Sequence, residues 1–130
     1  MLKAGVIGIV LAVIGVAVTI LVGDAVSGPL LVTPPGGEAP EEVSIGLGAF
    51  STVFGGLFGT GIAAVCKRFL SNPVAAFLGI CAVGLIVYAI LPFTAAESTS
   101  TALWLNAMHL VAAVPIVGLL TTELRKAHTP

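Results

Sequence analysis

The sequence has very little charge, and this scarcity sets the class of the protein. Of its 130 residues, 8% are charged and 58% are hydrophobic, and the mean hydropathy is +1.17. A soluble domain of this length carries charge on about a quarter of its residues. The composition therefore excludes an ordinary soluble domain and favours a protein that lies in a membrane.

Motifs for catalysis and metal binding are also absent from the sequence. It contains no CxxC, HExxH, P-loop or GxSxG pattern, and its second histidine, His128, lies in the polar C-terminal tail. Neither a conventional metal site nor a catalytic triad can be assembled, and no cofactor is expected. The apolar stretches lack the carboxylates that coupled transporters commonly use. Enzymes and ion-coupled transporters are therefore disfavoured, with a lipid-modifying enzyme that uses His109 as a minor alternative.

What the sequence does contain is four apolar stretches, each long enough to cross a bilayer as a helix, which takes about 20 residues. They cover residues 4–22, 45–66, 73–91 and 101–120. Ser71-Asn72-Pro73 is a start signal for the third helix, and Pro92 is expected to end it. Thr99 or Ser100 is the expected N-cap of the fourth. The predicted fold class is all-α, a four-helix transmembrane bundle that forms one domain over residues 1–130.

The placement of basic residues predicts the orientation of the bundle. Lysine and arginine occur before the first span, between the second and third, and after the fourth: Lys3, Lys67, Arg68, Arg125 and Lys126. The loops at residues 23–44 and 92–100 contain neither. Because basic residues accumulate in cytoplasmic loops, we expect a plasma-membrane protein with both termini in the cytoplasm. The first span also resembles a secretory signal, but its apolar core of about 19 residues exceeds the usual 7–15, so we expect it to be retained.

The longer outer loop, residues 23–44, is rich in proline and glycine. Gly28-Pro29 and the Pro-Pro-Gly-Gly run at residues 34–37 favour irregular backbone. We expect a solvated linker, in which residues 30–32 form a short extended or interfacial piece. A binding loop is the alternative.

Small residues recur at helical spacing and predict where helices pack, since small side chains favour close contact in membranes. The second span has two such ridges and the first span has one. The predicted packing positions are Gly48, Gly55, Gly56 and Gly59 in the second span and Gly8 and Gly15 in the first. We expect the second span to lie at the centre of the bundle. Packing within one chain is the main interpretation of these ridges, and homo-oligomerisation is the alternative.

Two polar side chains interrupt the fourth span. His109 is expected roughly 12 Å below the outer end, near the midplane, with Asn106 one turn nearer the outside on the same face. An ionisable side chain at that depth is a functional candidate, whereas hydrogen bonding between helices is the structural explanation. Ser51 and Thr52 are predicted at the same depth as His109 and are its expected partners. Tyr88 is expected to anchor the third helix at the membrane boundary, or to reach Asn106.

The two cysteines are interpreted as packing thiols. Cys66 is predicted at the cytoplasmic end of the second span and Cys81 roughly 12 Å inside the third. This separation predicts that they form no disulfide. Acylation of Cys66 beside Lys67 and Arg68 is the alternative.

The segment PFTAAESTSTALWLNAMHLVAAVPIVGLL, residues 92–120, resembles the last helix of a group of small actinobacterial membrane proteins, a domain-of-unknown-function family. Members of that family are similar in length, have four predicted spans, and often show a Met-His-Leu-like step followed by valine and alanine. The resemblance implies a four-helix integral membrane protein with His109 and Leu110 at matching positions. It implies no activity.

Two functions follow from these observations. The first is an accessory or scaffold subunit, or a homo-oligomer, that acts through helix packing. The alternative is a transporter or channel for a small solute, with a pathway lined by Asn106, His109, Thr52 and Tyr88. The expected partners are the lipid bilayer and other membrane subunits or a second copy of the chain, and no nucleic acid.

Overall fold

The structure is a computed structural model that describes residues 1–33 and 36–127. The prolines at 34 and 35 and His128 therefore lie outside the described residues. The described part of the chain forms four long helices and two short strands: α1 (Leu2–Ser27), β1 (Leu31–Val32), β2 (Glu41–Glu42), α2 (Ile45–Phe69), α3 (Pro73–Ala95) and α4 (Thr99–Lys126). Each of these helices is long and apolar enough to cross a membrane. The predicted all-α, four-helix architecture is confirmed.

Side-chain caps explain where three of the helices begin. The Oδ1 atom of Asn72 accepts a hydrogen bond from the Ala75 N–H at 3.2 Å. This cap confirms the predicted start of α3 at Pro73. Ser98 caps α4 by accepting from the Thr101 N–H at 3.1 Å, and Ser44 caps α2. Each cap satisfies one backbone donor that a helix start leaves without a partner.

Two of the predicted helix ends are wrong. The N-cap of α4 is Ser98, one residue before the predicted Thr99 or Ser100. Helix α3 continues through Pro92 to Ala95 instead of stopping at the proline. A proline near the end of a helix costs only one backbone hydrogen bond, and Pro92 is buried against the rest of the protein.

The most extensive contact in the bundle is between α1 and α4. Helix α2 packs mainly on α1, and α3 packs mainly on α4, so the expectation that α2 lies at the centre is wrong. The physical reason is the small face that α1 presents to α4. A Cβ added to Gly8 would lie 3.0 Å from the Ile116 Cα atom, and Ala12 is completely buried.

The two ends of the bundle differ in charge and in the residues that fill them. At what we term the basic end lie Lys3, Lys67, Arg68, Arg125 and Lys126, and at the acidic end lie Asp24, Glu38, Glu41, Glu42 and Glu97. A buried cluster toward the basic end comprises Ile9, Ala12, Ala63, Cys66, Phe77, Ile116, Leu120 and Leu124. A second cluster toward the acidic end comprises Val16, Ile20, Leu30, Val43 and Met108.

The loop between α1 and α2 is more ordered than the sequence predicts. Strand β1 pairs with β2 in antiparallel register, and the backbone on its other edge bonds to the connection between α3 and α4. The Thr33 N–H donates to the Ala95 carbonyl at 2.9 Å, and the Glu97 N–H donates to the Leu31 carbonyl at 3.1 Å. The predicted extended piece at residues 30–32 is confirmed, whereas the prediction of an irregular linker is wrong here. Leu30 is completely buried and holds this loop to the bundle.

Both cysteines are free thiols, as predicted. Cys66 is 2% exposed within the basic-end cluster, and Cys81 packs at the edge of the same cluster. The alternative of acylation does not fit Cys66, because the thiol is enclosed by apolar side chains.

Candidate functional site

His109 lies on the inward face of α4 and makes no hydrogen bond with any residue that the structure describes. It is seven residues before Ile116, which corresponds to about two helical turns on the same face. Ile116 contacts α2 near Gly56 and Gly59, so His109 faces the same side of the bundle, two turns closer to the acidic end. The imidazole is half-buried. Its Nδ1 atom is enclosed and has no partner in the described part of the chain.

The nearest aromatic neighbour of His109 is Tyr88 on α3. The two ring centroids are 5.7 Å apart, with the ring planes tilted by 48°. Tyr88 is 55% exposed, and its hydroxyl group bonds to no described residue. We refer to these two side chains as the His109–Tyr88 pair.

The depth of the pair follows from its position along the helices. His109 comes ten residues after the start of α4 at Thr99, which is about 15 Å along the axis, and Tyr88 comes seven residues before the end of α3 at Ala95, about 10 Å. The pair therefore lies well within the apolar segments. The Tyr88 ring packs on the imidazole of His109, and its expected role as a boundary anchor stays a prediction.

Asn106 links α4 to α3 through the backbone. Its Nδ2 atom donates to the Ala89 carbonyl of α3 at 3.2 Å and to the Ala102 carbonyl of its own helix at 3.1 Å. The expected contact between Asn106 and Tyr88 is thus replaced by a bond to the next residue of α3. One amide in an apolar helix bridges two helices in this way, which is a known use of asparagine in membrane bundles.

The expected hydrogen bonds from α2 to His109 are not formed. The Thr52 hydroxyl donates to the Gly48 carbonyl of its own helix at 2.7 Å, and Thr52 is buried. Ser51 is exposed. The structure therefore brings together His109, Tyr88 and Asn106 and leaves the two α2 side chains apart from them.

Positions of α2 and α3 in the half of the bundle nearer the acidic end have free space beside them, and we term this space the opening. The two helices are joined by a short turn at the basic end and contact each other far less than α1 and α4 do. Cβ atoms added to Gly55 of α2 or to Gly84 of α3 would meet no described atom within 4 Å. Gly84 is one turn from Tyr88 on α3, so the opening borders the His109–Tyr88 pair.

Four of the six predicted packing glycines lie at tight helix contacts. An added Cβ would collide with Val111 of α4 at Gly15 and, as described above, with Ile116 at Gly8. At Gly48 it would lie 2.8 Å from Ile20, and at Gly56 it would strike Ile9 of α1.

The other two glycines, Gly55 and Gly59, do not form the predicted tight contact. Gly59 only reaches Ile116 at 4.0 Å, and Gly55 borders the opening. The ridge that contains them turns toward the opening rather than toward a neighbouring helix.

Sequence reasoning missed the contacts that close the acidic end. The Trp104 indole N–H donates to the Ser27 hydroxyl at 2.9 Å, and Ser100 bonds the same hydroxyl at 3.1 Å. Thr33 donates to the Glu97 carboxylate at 2.7 Å. These bonds join segments that are far apart in sequence, so no local sequence pattern predicts them. The tight approach of Gly23 to Trp104 did have a signal, since Gly23 continues the small-residue ridge of α1.

A resident metal ion would need several ligating side chains close together. Among the described residues, no group of three or more His, Cys, Asp or Glu side chains is arranged to hold one.

Comparison with known proteins gives a family. Residues 1–126 match DUF6069, a family of unknown function. No curated protein and no solved structure matches the chain. The predicted resemblance to a domain-of-unknown-function family is confirmed at this level, and the actinobacterial origin stays a prediction.

Proposed function

Because the chain belongs to DUF6069, a family of unknown function, we propose its role from its own contacts: an integral plasma-membrane protein that acts through helix packing. It serves as an accessory or scaffold subunit of a membrane complex, or as a homo-oligomer, and it has no catalytic activity. Its termini are cytoplasmic and its source is an actinobacterium. Separation of the basic end from the acidic end supports this orientation.

The observation that carries the proposal is the uncovered state of α3. Only 6% of its most apolar window is buried, compared with 33% for α1. Its outward face carries a shallow groove of about 460 Å³ lined by Ala75, Ala76, Gly79, Ile80 and Val83. Small residues flanked by branched ones form the kind of surface on which membrane helices pack closely. The remaining polar groups support the same role, since Asn106 and Thr52 are engaged in helix contacts and backbone bonds.

The experiment enlarges one glycine in the groove and compares it with another exposed glycine elsewhere. Gly79→Leu fills the groove of α3, whereas Gly61→Leu places the same side chain on α2, where an added Cβ also meets no described atom within 4 Å. Each variant is cross-linked in native membranes and analysed by native electrophoresis. We expect Gly79→Leu to lose the higher-mass species and Gly61→Leu to retain it. Retention in both variants would refute a packing role for this face.

The second candidate function is a transporter or channel, and one observation favours it. His109 is half-buried, has an enclosed Nδ1 without a described partner, and lies beside the opening between α2 and α3. A cysteine placed at position 109 in a Cys66→Ala, Cys81→Ala background tests this function. The packing role predicts no reaction with a membrane-impermeant thiol reagent from either side. Labelling of that cysteine would place His109 on a water-filled pathway and favour transport.

A further inference from the structure

Two hydrogen-bonding groups of the His109–Tyr88 pair lack partners in an apolar setting. The Tyr88 hydroxyl and the imidazole of His109 bond to none of the described residues, although both lie about 10–15 Å below the helix ends. A polar group left without a partner in hydrocarbon costs several kcal/mol. Thr60, by contrast, avoids this cost within its own helix, because its hydroxyl donates to the Gly56 carbonyl at 2.8 Å. Neither side chain of the pair forms such a bond within its own helix.

Tyr88 is 55% exposed, so the pair can be reached from the side of the bundle. On α2, the ridge Ser51, Gly55 and Gly59 contacts Ile116 of α4 at Gly59 and then diverges toward the acidic end, where Ser51 is exposed. His109 lies two turns beyond Ile116 on α4, at the level where the helices have diverged. Since Nδ1 is enclosed, the half-exposed ring leaves Nε2 as the nitrogen that an incoming group can reach.

The chemistry of the pair defines what fits there. A tyrosine hydroxyl and a neutral imidazole N–H are both donors, so they suit an acceptor such as a carbonyl oxygen. Two tilted aromatic rings favour a flat, apolar ligand. The ester carbonyls of phospholipids lie at the membrane boundary, whereas the pair lies about 10–15 Å below the helix ends, within the apolar segments. The ligand must therefore carry its carbonyl into the hydrocarbon.

We propose that His109 and Tyr88 form a lateral binding site, open to the bilayer between α2 and α3, for the carbonyl head of a lipid-soluble quinone. The Tyr88 hydroxyl and the His109 N–H donate to the quinone oxygens, and the alkyl tail remains in the lipid. The site is separate from the groove of α3, because Tyr88 and Gly79 are nine residues apart and point in opposite directions at 3.6 residues per turn. It involves binding alone.

The sole tryptophan of the sequence provides a reporter. Trp104 is five residues before His109, about 7.5 Å along α4, so a bound quinone quenches its fluorescence. Decylubiquinone is titrated into protein held in phospholipid nanodiscs. We expect saturable quenching above the linear quenching given by free quinone in the membrane.

Two variants and one control separate binding from changes in folding. Tyr88→Phe keeps the ring contact and removes only the hydroxyl, and we expect the affinity to fall about 5- to 10-fold, as for the loss of one hydrogen bond. We expect His109→Leu to lose the saturable component. Thr122→Val removes a hydroxyl that bonds only within α4, and its affinity should match the unaltered protein. Circular dichroism melts verify that each variant is folded. Equal, linear quenching in all of these proteins would overturn the proposal.

A second arm distinguishes a quinone from membrane lipid as the source of the carbonyl. The titration is repeated in nanodiscs made of ether-linked phospholipids, which lack ester carbonyls. The same decylubiquinone affinity in both membranes supports a quinone site. A higher affinity in ether lipids would show that ester carbonyls occupy the pair in ordinary membranes, and the assignment to a selective quinone site rather than a lipid site would then be wrong. Because these variants leave Gly79 unchanged, failure here is independent of the proposed packing role.

Discussion

At the scale of single residues, four threonine hydroxyl groups in the helices follow a simple rule. A glycine precedes each of four threonines by four positions, and in each case the threonine hydroxyl donates to that glycine's carbonyl: Gly15–Thr19, Gly48–Thr52, Gly56–Thr60 and Gly118–Thr122. Such back-bonding satisfies the hydroxyl within its own helix. The spacing is visible in the sequence, and it explains why Thr52 is unavailable to His109.

Glycines of α2 are expected to differ sharply in their tolerance of a methyl group. A Cβ at Gly56 would collide with Ile9 of α1, whereas a Cβ at Gly61 would meet no described atom within 4 Å. Because overpacking a tight contact costs about 1–3 kcal/mol, we expect Gly56→Ala to lower the free energy of unfolding by that amount. Gly61→Ala should cause no loss.

Chemical unfolding in detergent micelles, followed by circular dichroism, measures this difference. The two substitutions add the same atom to the same helix, so helix propensity cancels in the comparison. Equal stability of the two variants would contradict the close packing of α1 on α2.

At the scale of helices and loops, the sequence predicts which helices form better than it predicts how they pack. Each span is recognisable because an uninterrupted run of about 20 apolar residues is the length that a bilayer-crossing helix needs. Which helix is central is harder to predict, since small residues recur at helical spacing in α1, α2 and α3 alike. Only the structure shows that the ridge with Gly8 and Gly15 meets a neighbour, whereas the groove with Gly79 faces outward.

The residues of the candidate site are likewise predictable only in part from the sequence. His109 and Asn106 are identifiable from sequence, because polar side chains are rare in an apolar run. Their partners are not, since the ring of Tyr88 and the carbonyl of Ala89 depend on the rotation and height of α3 against α4. Packing sets those two quantities, and the length of a span does not.

The loop between α1 and α2 is expected to stabilise the acidic end through one side chain. Leu30 is completely buried, whereas Leu31 beside it is 37% exposed. Because truncating a buried leucine costs about 2–5 kcal/mol, Leu30→Ala should destabilise the protein by an amount in this range. Leu31→Ala should cost less than about 1 kcal/mol.

Thermal melts of both variants measure the stability, and limited proteolysis measures the release of the loop. We expect Leu30→Ala to be cut faster within residues 36–40, because the packing that holds β1 and β2 is lost. A melt and a cleavage rate equal to those of Leu31→Ala would show that the loop is held by its backbone bonds alone.

At the scale of the whole molecule, the separation of charge is the dominant feature. All five lysines and arginines lie at the basic end, and of the six acidic residues only Glu123 lies there. Glu123 accepts a hydrogen bond from Lys126 at 2.9 Å. The helix ends strengthen this arrangement, because Lys67 and Arg68 lie in the carboxyl-terminal turn of α2, where the helix dipole favours positive charge. The bundle is thus polarised along its axis.

This polarity predicts how the protein is inserted. Since basic residues are retained on the cytoplasmic side, we expect the basic end to face the cytoplasm and the β1–β2 loop to face outward.

Alkaline phosphatase is active only outside the cytoplasm, and green fluorescent protein exported through the general secretory route does not fluoresce. Each reporter is fused in turn after the C-terminus and within residues 36–40 in a bacterial host. The C-terminal fusions should be fluorescent and lack phosphatase activity, and the loop fusions should show the reverse. A charge-reversed variant, Lys67→Glu with Arg68→Glu, should yield mixed orientations, because it removes two of the five basic residues. Phosphatase activity at the C-terminus of the unaltered chain would show that the basic end faces outward.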